Sequence, residues 1–276
     1  MRILDAHRHL WRLDRGDYRW LAGEGGALQP LRRDFLPEHA PDDAEVILVQ
    51  AADSLAETEF LLDLARGNPR IKGVVGWVDL ASPEAAEDLR HLTADPKFKG
   101  VRPMLQDIAR TDWLLTAPRP EALATLKALG LRFDALATER HLGVLEAFAA
   151  AHPDLPLVID HAAKPQPGEL TAWRAGMAAL AAHPQVHCKL SGLLTEFSPE
   201  QRRDPLPALH AVFDPLLELF GAERLIWGSD WPVLTLAASY EDWLRLTEAL
   251  LRDLSLAERA GILGANAARF YGADHG

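Results

Sequence analysis

Short apolar runs rich in β-branched residues alternate with amphipathic stretches along the whole chain. Eight runs occur, and they begin roughly 25–45 residues apart, which is the length of one strand–helix unit. Strands that alternate with helices predict a parallel sheet covered by helices. The predicted strands are Arg2–His9, Glu45–Ala51, Val74–Leu80, Phe98–Met104, Leu131–Leu136, Leu157–His161, Val186–Leu190 and Arg224–Trp231.

The segments between the runs carry helix start and stop signals. Ser54 and Glu57 have the spacing of a capping box, and Ser255 and Glu258 repeat it near the C-terminus. Proline at a first helical position and glycine after a last one mark other ends. The predicted helices are Ser54–Arg66, one that starts at Ser82, Pro120–Leu129, Thr138–Ala151, Gly168–Ala182, Pro205–Phe220, Tyr240–Leu251 and one opened by Ser255.

Eight strand–helix units without a break in composition favour one α/β domain over residues 1–276, a single (β/α)₈ TIM barrel. A doubly wound sheet is the competing fold, but no Gly-x-Gly-x-x-Gly follows any predicted strand. Two long connections, Trp11–Asp43 and Gln106–Pro120, leave the carboxyl ends of their strands. Each could close over an active site or simply cover the barrel against solvent.

Composition limits the classes of binding partner and the cellular compartment that we expect. The net charge is −11 and no long basic run occurs, which argues against nucleic acid and anionic membranes as partners. No apolar stretch reaches the roughly 18 residues that a membrane span needs. Cys188 is the single cysteine, so an internal disulfide is excluded. We therefore expect a cytoplasmic protein from a reducing compartment.

Histidines and an aspartate stand at the ends of three predicted strands. His7 and His9 are two residues apart at the end of the first, so on a strand they share a face. Such a pair suits metal or electrophile chemistry, although alone it could be a chance surface pair. His161 ends the sixth strand and Asp230 the eighth, at the same end of the barrel. A carboxylate beside an electrophile is what general-base activation of water requires.

Other charged residues also fall at strand ends. Arg102 ends the fourth strand, where it could clamp an anion or a hydroxyl, or pair structurally with Asp107 or Asp134. Cys188 and Lys189 lie on the seventh strand and receive no role from the sequence.

Two motifs resemble the amidohydrolase superfamily, namely Asp5-Ala6-His7-Arg8-His9 in the first strand and Gly228-Ser229-Asp230-Trp231-Pro232 in the last. Segments 100–107, 158–161 and 188–193 are similar to the amidohydrolase-2 branch, which contains sugar-acid lactonases of the L-fuconolactonase and L-rhamnonolactonase type and pyrone-dicarboxylate lactonases. The resemblance runs to residues 266–272 and implies a distorted barrel of the amidohydrolase type.

The resemblance also implies an activity and roles for the matching residues. It implies a hydrolase that opens a small sugar-acid or carboxylated lactone. Asp230 would deprotonate the attacking water and return the proton to the leaving oxygen, with His7, His9 and His161 polarising the carbonyl. The residues expected to hold the substrate are Arg102, Asp134, Lys164, Trp11, Trp113 and Trp231.

The chain departs from the metal-dependent members at two strands. Asp134 stands where they place a fifth-strand histidine, and Arg102 where two-metal members place a bridging lysine or glutamate. The expected cofactor is one divalent ion, zinc first, on His7, His9 and Asp230, and a metal-free site is the alternative. The other functions left open are a metal-dependent decarboxylase of the same branch and a non-catalytic binding barrel. The expected partner is a small lactone, and a homo-oligomer remains open.

Overall fold

The computed structural model describes residues 2–23, 25–166 and 168–274. Its eight parallel strands follow one another around a sheet in chain order, and each pairs with the next. A parallel bridge between Arg8 and Trp231 brings the last strand back to the first, so the predicted (β/α)₈ barrel is confirmed. The strands are β1 (Leu4–Arg8), β2 (Glu45–Val49), β3 (Ile71–Gly76), β4 (Phe98–Val101), β5 (Arg132–Ala135), β6 (Leu157–Ile159), β7 (Val186–Leu190) and β8 (Leu225–Trp227).

Helices connect the strands, and the long predicted helices are present with starts within four residues of the prediction. Three short helices, α3 (Trp113–Thr116), α7 (Leu193–Glu196) and α8 (Pro199–Arg203), lie in connections for which the sequence predicted none. The helices are α1 (Leu55–Gly67), α2 (Ala85–Leu92), α3 (Trp113–Thr116), α4 (Pro120–Ala128), α5 (Leu142–Ala151), α6 (Thr171–Ala181), α7 (Leu193–Glu196), α8 (Pro199–Arg203), α9 (Leu206–Phe220), α10 (Tyr240–Leu250), α11 (Leu256–Ala260) and α12 (Asn266–Tyr271).

One predicted capping box is complete and the other is half formed. Ser255 and Glu258 exchange both hydrogen bonds at the start of α11, as predicted. At α1, Ser54 accepts from the backbone N–H of Glu57, but the Glu57 carboxylate accepts from the Tyr18 hydroxyl and the Ala51 N–H instead. The Glu57 side chain is thus bound by Tyr18 of the long first connection. The capping-box spacing considers only residues near in sequence, so it could not predict this contact.

The interior of the barrel is a small apolar cluster that α12 closes at the end opposite the site. Side chains from β1, β2, β3, β6 and β8 meet there and pack against the last helix. The larger core lies between the strands and the surrounding helices. The inner cluster contains Leu4, Ala6, Ile47, Val49, Val75, Val158, Ile226, Ala267, Phe270 and Tyr271.

The junction of β8 with β1 relies on a buried carboxylate as well as backbone hydrogen bonds. Asp5 accepts from both the N–H and the hydroxyl of Ser229, at 2.8 and 2.6 Å. Beyond it, the N–H of Asp230 donates to the carbonyl of His7 at 2.8 Å. The pairing register of β1 with β2 shifts between Asp5 and Arg8, where the strand passes from the barrel interior to the mouth. The junction therefore sets Asp230 directly beside the first-strand histidines.

The first long connection lies against the barrel mouth and is pinned at several points. Trp11 pairs with Phe35 through both backbone groups. The Tyr18 hydroxyl donates to Glu57 at 2.6 Å, and the Trp20 indole N–H donates to the carbonyl of Ala51 at 2.8 Å. Within the described residues, no helix is long and apolar enough to cross a membrane.

Candidate active site

The four residues predicted to converge lie together at the carboxyl ends of the strands. Oδ1 of Asp230 is 3.2 Å from Nε2 of His9 and 3.8 Å from Nε2 of His7. Nε2 of His161 lies 3.9 Å from the same oxygen. None of the four side chains is more than 5% exposed. One carboxylate oxygen therefore faces three imidazoles in a nearly dry environment.

The backbone that carries these groups is strained. Asp230 has a φ of 59°, and residues 161–164 form a run of left-handed conformations with φ between 51° and 58°. A non-glycine residue held outside its favoured regions costs about 1–3 kcal/mol, so the surroundings must hold this turn. The indole of Trp173 donates to the carbonyl of Ala162 at 2.7 Å, inside the core. The turn presents His161 and Lys164 to the same cavity.

The hydrogen bonds of His9 fix which nitrogen faces Asp230. Nδ1 of His9 is 2.8 Å from the carbonyl of Val49, which can only accept, so Nδ1 carries a proton. In the neutral ring Nε2 then presents a lone pair to the carboxylate. Two acceptors 3.2 Å apart require a proton or a cation between them.

His7 has two competing partners at Nδ1. The ammonium of Lys189 is 3.1 Å away and Oδ1 of Asp160 is 3.3 Å away. Burial, reinforced by Lys189, lowers the pKa of His7 well below 6.5, so the ring is neutral at pH 7. Donation by Lys189 places the ring proton on Nε2 and makes His7 a donor toward Asp230. If Nδ1 of His7 instead donates to Asp160, the ring proton is on Nδ1 and Nε2 is left with a lone pair that could bind a metal ion.

A buried charged layer lies directly beneath the site, and the sequence did not reveal it. Lys189 is fully buried and contacts Asp134 at 2.5 Å and Asp160 at 3.1 Å. The hydroxyl of Tyr271 donates to Asp134 at 2.7 Å. Burial raises the pKa of Asp134 to about 6 against the opposing effect of Lys189. For Asp160, burial alone would raise the pKa, but Lys189 and Arg102 lower it below its ordinary value.

Asp134 and Lys189 contact each other in this layer and do not face the cavity. Asp134 was expected to hold substrate, yet its carboxylate is fully buried and does not line the cavity. Its hydrogen bonds instead orient Lys189, which in turn contacts His7. Lys189 itself was an available signal, because a lysine buried within a strand must be paired.

His161 is held from below by Ser191 and Gly192. Nδ1 of His161 is 2.8 Å from the Ser191 hydroxyl. A Cβ on Gly192 would lie 2.5 Å from that Nδ1 and 3.1 Å from Oδ2 of Asp230, and Gly192 has a φ of +61°. Burial lowers the pKa of His161 well below 6.5, although Asp230 opposes the shift. The imidazole is therefore neutral and closely confined.

Arg102 lies in the cavity wall, and only part of its guanidinium is hydrogen-bonded to the protein. One of its terminal nitrogens donates to the carbonyl of Gln50, while the Gln50 amide donates to the carbonyl of Arg102 at 2.7 Å. Its ion partner is Asp160, 3.8 Å away, and not Asp107 or Asp134 as the structural alternative expected. Its Nε is buried and has no hydrogen-bond partner among the described residues.

The site opens into a cavity of about 180 Å³. Of the expected substrate residues, Arg102 and Lys164 line it, while Trp113 lines a neighbouring cavity. Trp11 and Trp231 are buried and line neither cavity. The lining residues are His9, Trp20, Ala51, Arg102, Met104, Gln106, Asp107, Leu136, His161, Lys164, Asp230 and Val233.

The indole that reaches the cavity is Trp20, which the sequence did not single out. It lies on the first long connection, where Trp11 and Trp20 are in edge-to-face contact. Trp11 instead fills the core of that connection and donates to the carbonyl of Arg33. Which indole is buried and which faces the cavity depends on how the connection folds over itself, and the sequence pattern does not show this.

The donor set is compatible with one divalent cation. Ligand atoms of His7, His9 and Asp230 lie within 4.8 Å of one another. Nε2 of His7 is buried and has no hydrogen-bond partner among the described residues. Two imidazole nitrogens and one carboxylate oxygen are ligands that zinc accepts. The ammonium of Lys189, in contact with His7, would weaken such binding.

The chain matches known proteins over almost its whole length. A family described as amidohydrolase matches residues 4–273. An L-fucono-1,5-lactonase of Burkholderia ambifaria is 44% identical over 98% of this chain and 96% of its own. An L-fucono-1,5-lactonase of Burkholderia multivorans is 40% identical, with 97% and 95% of the two chains covered.

Solved structures of an amidohydrolase from Burkholderia multivorans share the fold. One, with bound HEPES, is 38% identical and superposes with a TM-score of 0.88, covering 99% of this chain and 100% of the other. A second, with bound zinc, is also 38% identical, covers the same shares and has a TM-score of 0.86.

Proposed function

Because the chain belongs to the amidohydrolase family, we propose that it hydrolyses a small sugar-acid lactone, with L-fucono-1,5-lactone as the first candidate substrate. The observation that carries this proposal is the single carboxylate facing three imidazoles at a cavity of about 180 Å³. A lactone needs a base for water, donors for the carbonyl oxygen and a proton for the leaving oxygen. The site offers candidates for each.

Asp230 is the proposed general base. Burial alone would raise the pKa of Asp230, but His161 and His9 lower it below its ordinary value, so it is ionised at neutral pH. Oδ1 takes one proton from water as the water oxygen bonds to the lactone carbonyl carbon. When the bond between that carbon and the ring oxygen breaks, Asp230 returns the proton to the departing oxygen. The product is the open-chain hydroxy acid.

Neutral imidazoles and Arg102 are the proposed donors to the carbonyl oxygen. With Ser191 donating to Nδ1, His161 carries its proton on Nε2, on the side of the cavity. The guanidinium of Arg102 lines the same cavity and suits a hydroxyl or the carbonyl oxygen. Donors placed in advance where negative charge develops contribute most in a dry site.

Lys189 and Asp134 are proposed to position His7 rather than to touch substrate. The chain of contacts Asp134–Lys189–His7 favours the Nε2–H form of His7 next to Asp230. A divalent ion on His7, His9 and Asp230 would supply Lewis-acid polarisation of the carbonyl oxygen.

A panel of aldonolactones tests the proposal. Acid release is followed by titration for L-fucono-1,5-lactone, its 1,4-lactone, and the L-rhamnono and D-glucono 1,5-lactones, and carbon dioxide release is followed for hydroxybenzoates. The proposal expects acid release from at least one 1,5-lactone well above its spontaneous rate. Carbon dioxide release without lactone opening would indicate the decarboxylase. Binding of lactones without turnover would indicate a non-catalytic barrel.

A further inference from the structure

A second cavity adjoins the active site and is larger than it. Its volume is about 560 Å³, against about 180 Å³ for the active-site cavity. The two cavities adjoin, because they share four lining residues. The shared residues are Trp20, Ala51, Met104 and Asp107.

The active-site cavity alone is small for the ligands that such sites bind. Pockets for small molecules usually measure roughly 300–1,000 Å³. The value of about 180 Å³ leaves room for one compact ring and little else. The second cavity, here called the side cavity, provides the remaining room directly alongside.

Indoles form the apolar part of the side cavity. Trp20, Trp77 and Trp113 all line it. Trp20 is fixed by its hydrogen bond to the carbonyl of Ala51, at 2.8 Å. The backbone of Trp77 is fixed by Thr58, whose hydroxyl accepts from the Trp77 N–H at 2.8 Å and donates to its carbonyl at 3.1 Å. The Trp20 indole and the backbone of Trp77 are therefore held in place before any ligand binds.

Hydrogen-bonding groups surround the indoles. The indole Nε1–H groups of Trp77 and Trp113 donate to no acceptor in the described part of the chain, although both residues line the cavity. The carboxylates that line it are those of Asp17, Asp53, Asp79 and Asp107, with Arg19 as the cation. Flat apolar faces bordered by acceptors and N–H donors match a sugar ring, which presents a C–H face and a rim of hydroxyls.

We propose that the side cavity is a subsite for a second, neutral sugar ring attached to the lactone. The substrate class would then be aldonolactones that carry a glycosyl group. The inference rests on the proposed lactone hydrolysis and adds the size and chemistry of the substrate to it. The lactone ring lies beside Asp230 and the attached ring packs on Trp77 and Trp113.

The charges favour a neutral ring over an anionic group. Four carboxylates and one guanidinium line the side cavity, so a phosphate or uronate would be repelled. An ammonium group on indoles and carboxylates is the chemical alternative. Asp17 is already paired with Arg15 at 2.7 Å, which reduces the negative charge available to a cation.

Kinetics with matched substrates test the subsite. L-fucono-1,5-lactone is compared with its 2-O-, 3-O- and 4-O-β-glucosyl derivatives, using wild type, Trp77→Ala and a control, Leu115→Ala. Leu115 lies in α3 with Trp113, is 47% exposed and does not line the side cavity. We expect kcat/KM for at least one glucosyl lactone to exceed that of the single ring by about 10-fold or more. Trp77→Ala should remove this gain through KM and leave the single-ring rate within about 2-fold, while Leu115→Ala changes neither.

The outcomes separate this inference from the proposed function. Hydrolysis of the single-ring lactone with no gain for any glucosyl derivative overturns the subsite and leaves the lactonase standing. An equal loss on both substrates in Trp77→Ala also overturns it. A 2-amino-2-deoxyglucosyl derivative preferred 10-fold over the glucosyl one assigns the cavity to a cation instead. No hydrolysis of any lactone refutes the proposed function itself.

Discussion

At the scale of single residues, the site depends on which protonation state each neighbour imposes. The carbonyl of Val49 fixes a proton on Nδ1 of His9, and the hydroxyl of Ser191 is hydrogen-bonded to Nδ1 of His161. His7 lies between a donor and an acceptor, Lys189 and Asp160. Asp230 remains ionised because His161 and His9 lower its pKa despite its burial. Each of the three histidines thus has a hydrogen-bond or ion partner outside the cavity.

Gly192 provides the space that His161 occupies. Gly192→Ala would place a Cβ 2.5 Å from Nδ1 of His161 and would hold alanine at a φ of +61°. A displacement near 1 Å at a catalytic group can cost about 10²-fold, so we expect kcat/KM to fall by roughly that factor. Gly143→Ala is the control, because nothing lies within 4 Å of its added Cβ. Equal kinetics for the two variants would show that His161 is not confined as described.

Arg102 is expected to contact substrate from the cavity wall. Arg102→Lys removes Nε and the fork, and a lost charge-assisted hydrogen bond should lower kcat/KM roughly 10- to 150-fold. The bond to Gln50 is also lost, so a small decrease in Tm accompanies it. Kinetics and thermal unfolding are measured on the same preparation. A large decrease in Tm with near-normal kinetics would assign Arg102 to structure alone.

At the scale of secondary-structure elements, irregular turns and connections beyond the strand ends bring these residues together. β6 ends at Ile159, and the left-handed turn over residues 161–164 then aims His161 and Lys164 into the cavity. The first long connection, 11–43, carries Trp20 to the cavity and is tied to α1 through Tyr18 and Glu57. The strands fix where the site lies, and these connections determine what lines it.

The tie between the first connection and α1 should make stability depend on pH. Burial raises the pKa of Glu57 from 4.5 to about 7 against the hydrogen bonds from Tyr18 and Ala51. The folded state then binds more protons than the unfolded state between pH 4.5 and about 7, so stability falls as pH rises through this window. Glu57→Gln cannot titrate, so its Tm should fall less than that of wild type across the window. Parallel Tm curves for the two proteins would contradict this account.

The sequence predicted the barrel and the convergence of four side chains but not the layer below them. Strands and helices alternate regularly, and parallel strands end on one side, so His7, His9, His161 and Asp230 could be placed together. The contacts of Lys189 depend on strand register and on which face each residue takes, and these are set by tertiary packing. The same holds for Gly192, whose neighbour in space is 31 residues away in the chain.

At the scale of the whole molecule, the fold places the buried Asp160, Lys189 and Asp230 toward one end of the barrel and an apolar cluster with α12 at the other. β8 meets β1 through Asp5 and Ser229, and this closure sets the distance from Asp230 to the first-strand histidines. Catalytic geometry and barrel closure are therefore coupled. A change at Ser229 should affect both.

Removal of metal should leave the proposed activity largely intact. The candidate donor set has three residues, and the ammonium of Lys189 contacts one of them, so we expect any cation to bind weakly. Protein dialysed against a chelator and checked for residual metal is expected to retain most of its kcat/KM on the best lactone. Loss of activity that stoichiometric zinc restores would establish a metal-dependent site.

The measurement that tests the central claim most directly is the activity of Asp230→Asn on the best lactone of the panel. The amide keeps the shape of the side chain but cannot take a proton from water, and general-base assistance is worth about 10²–10⁴-fold. We expect kcat/KM to fall by at least about 10²-fold with the fold retained, while Asp43→Asn, at a carboxylate that is 99% exposed, changes nothing. Retention of more than about a tenth of the wild-type value would show that Asp230 is not the base.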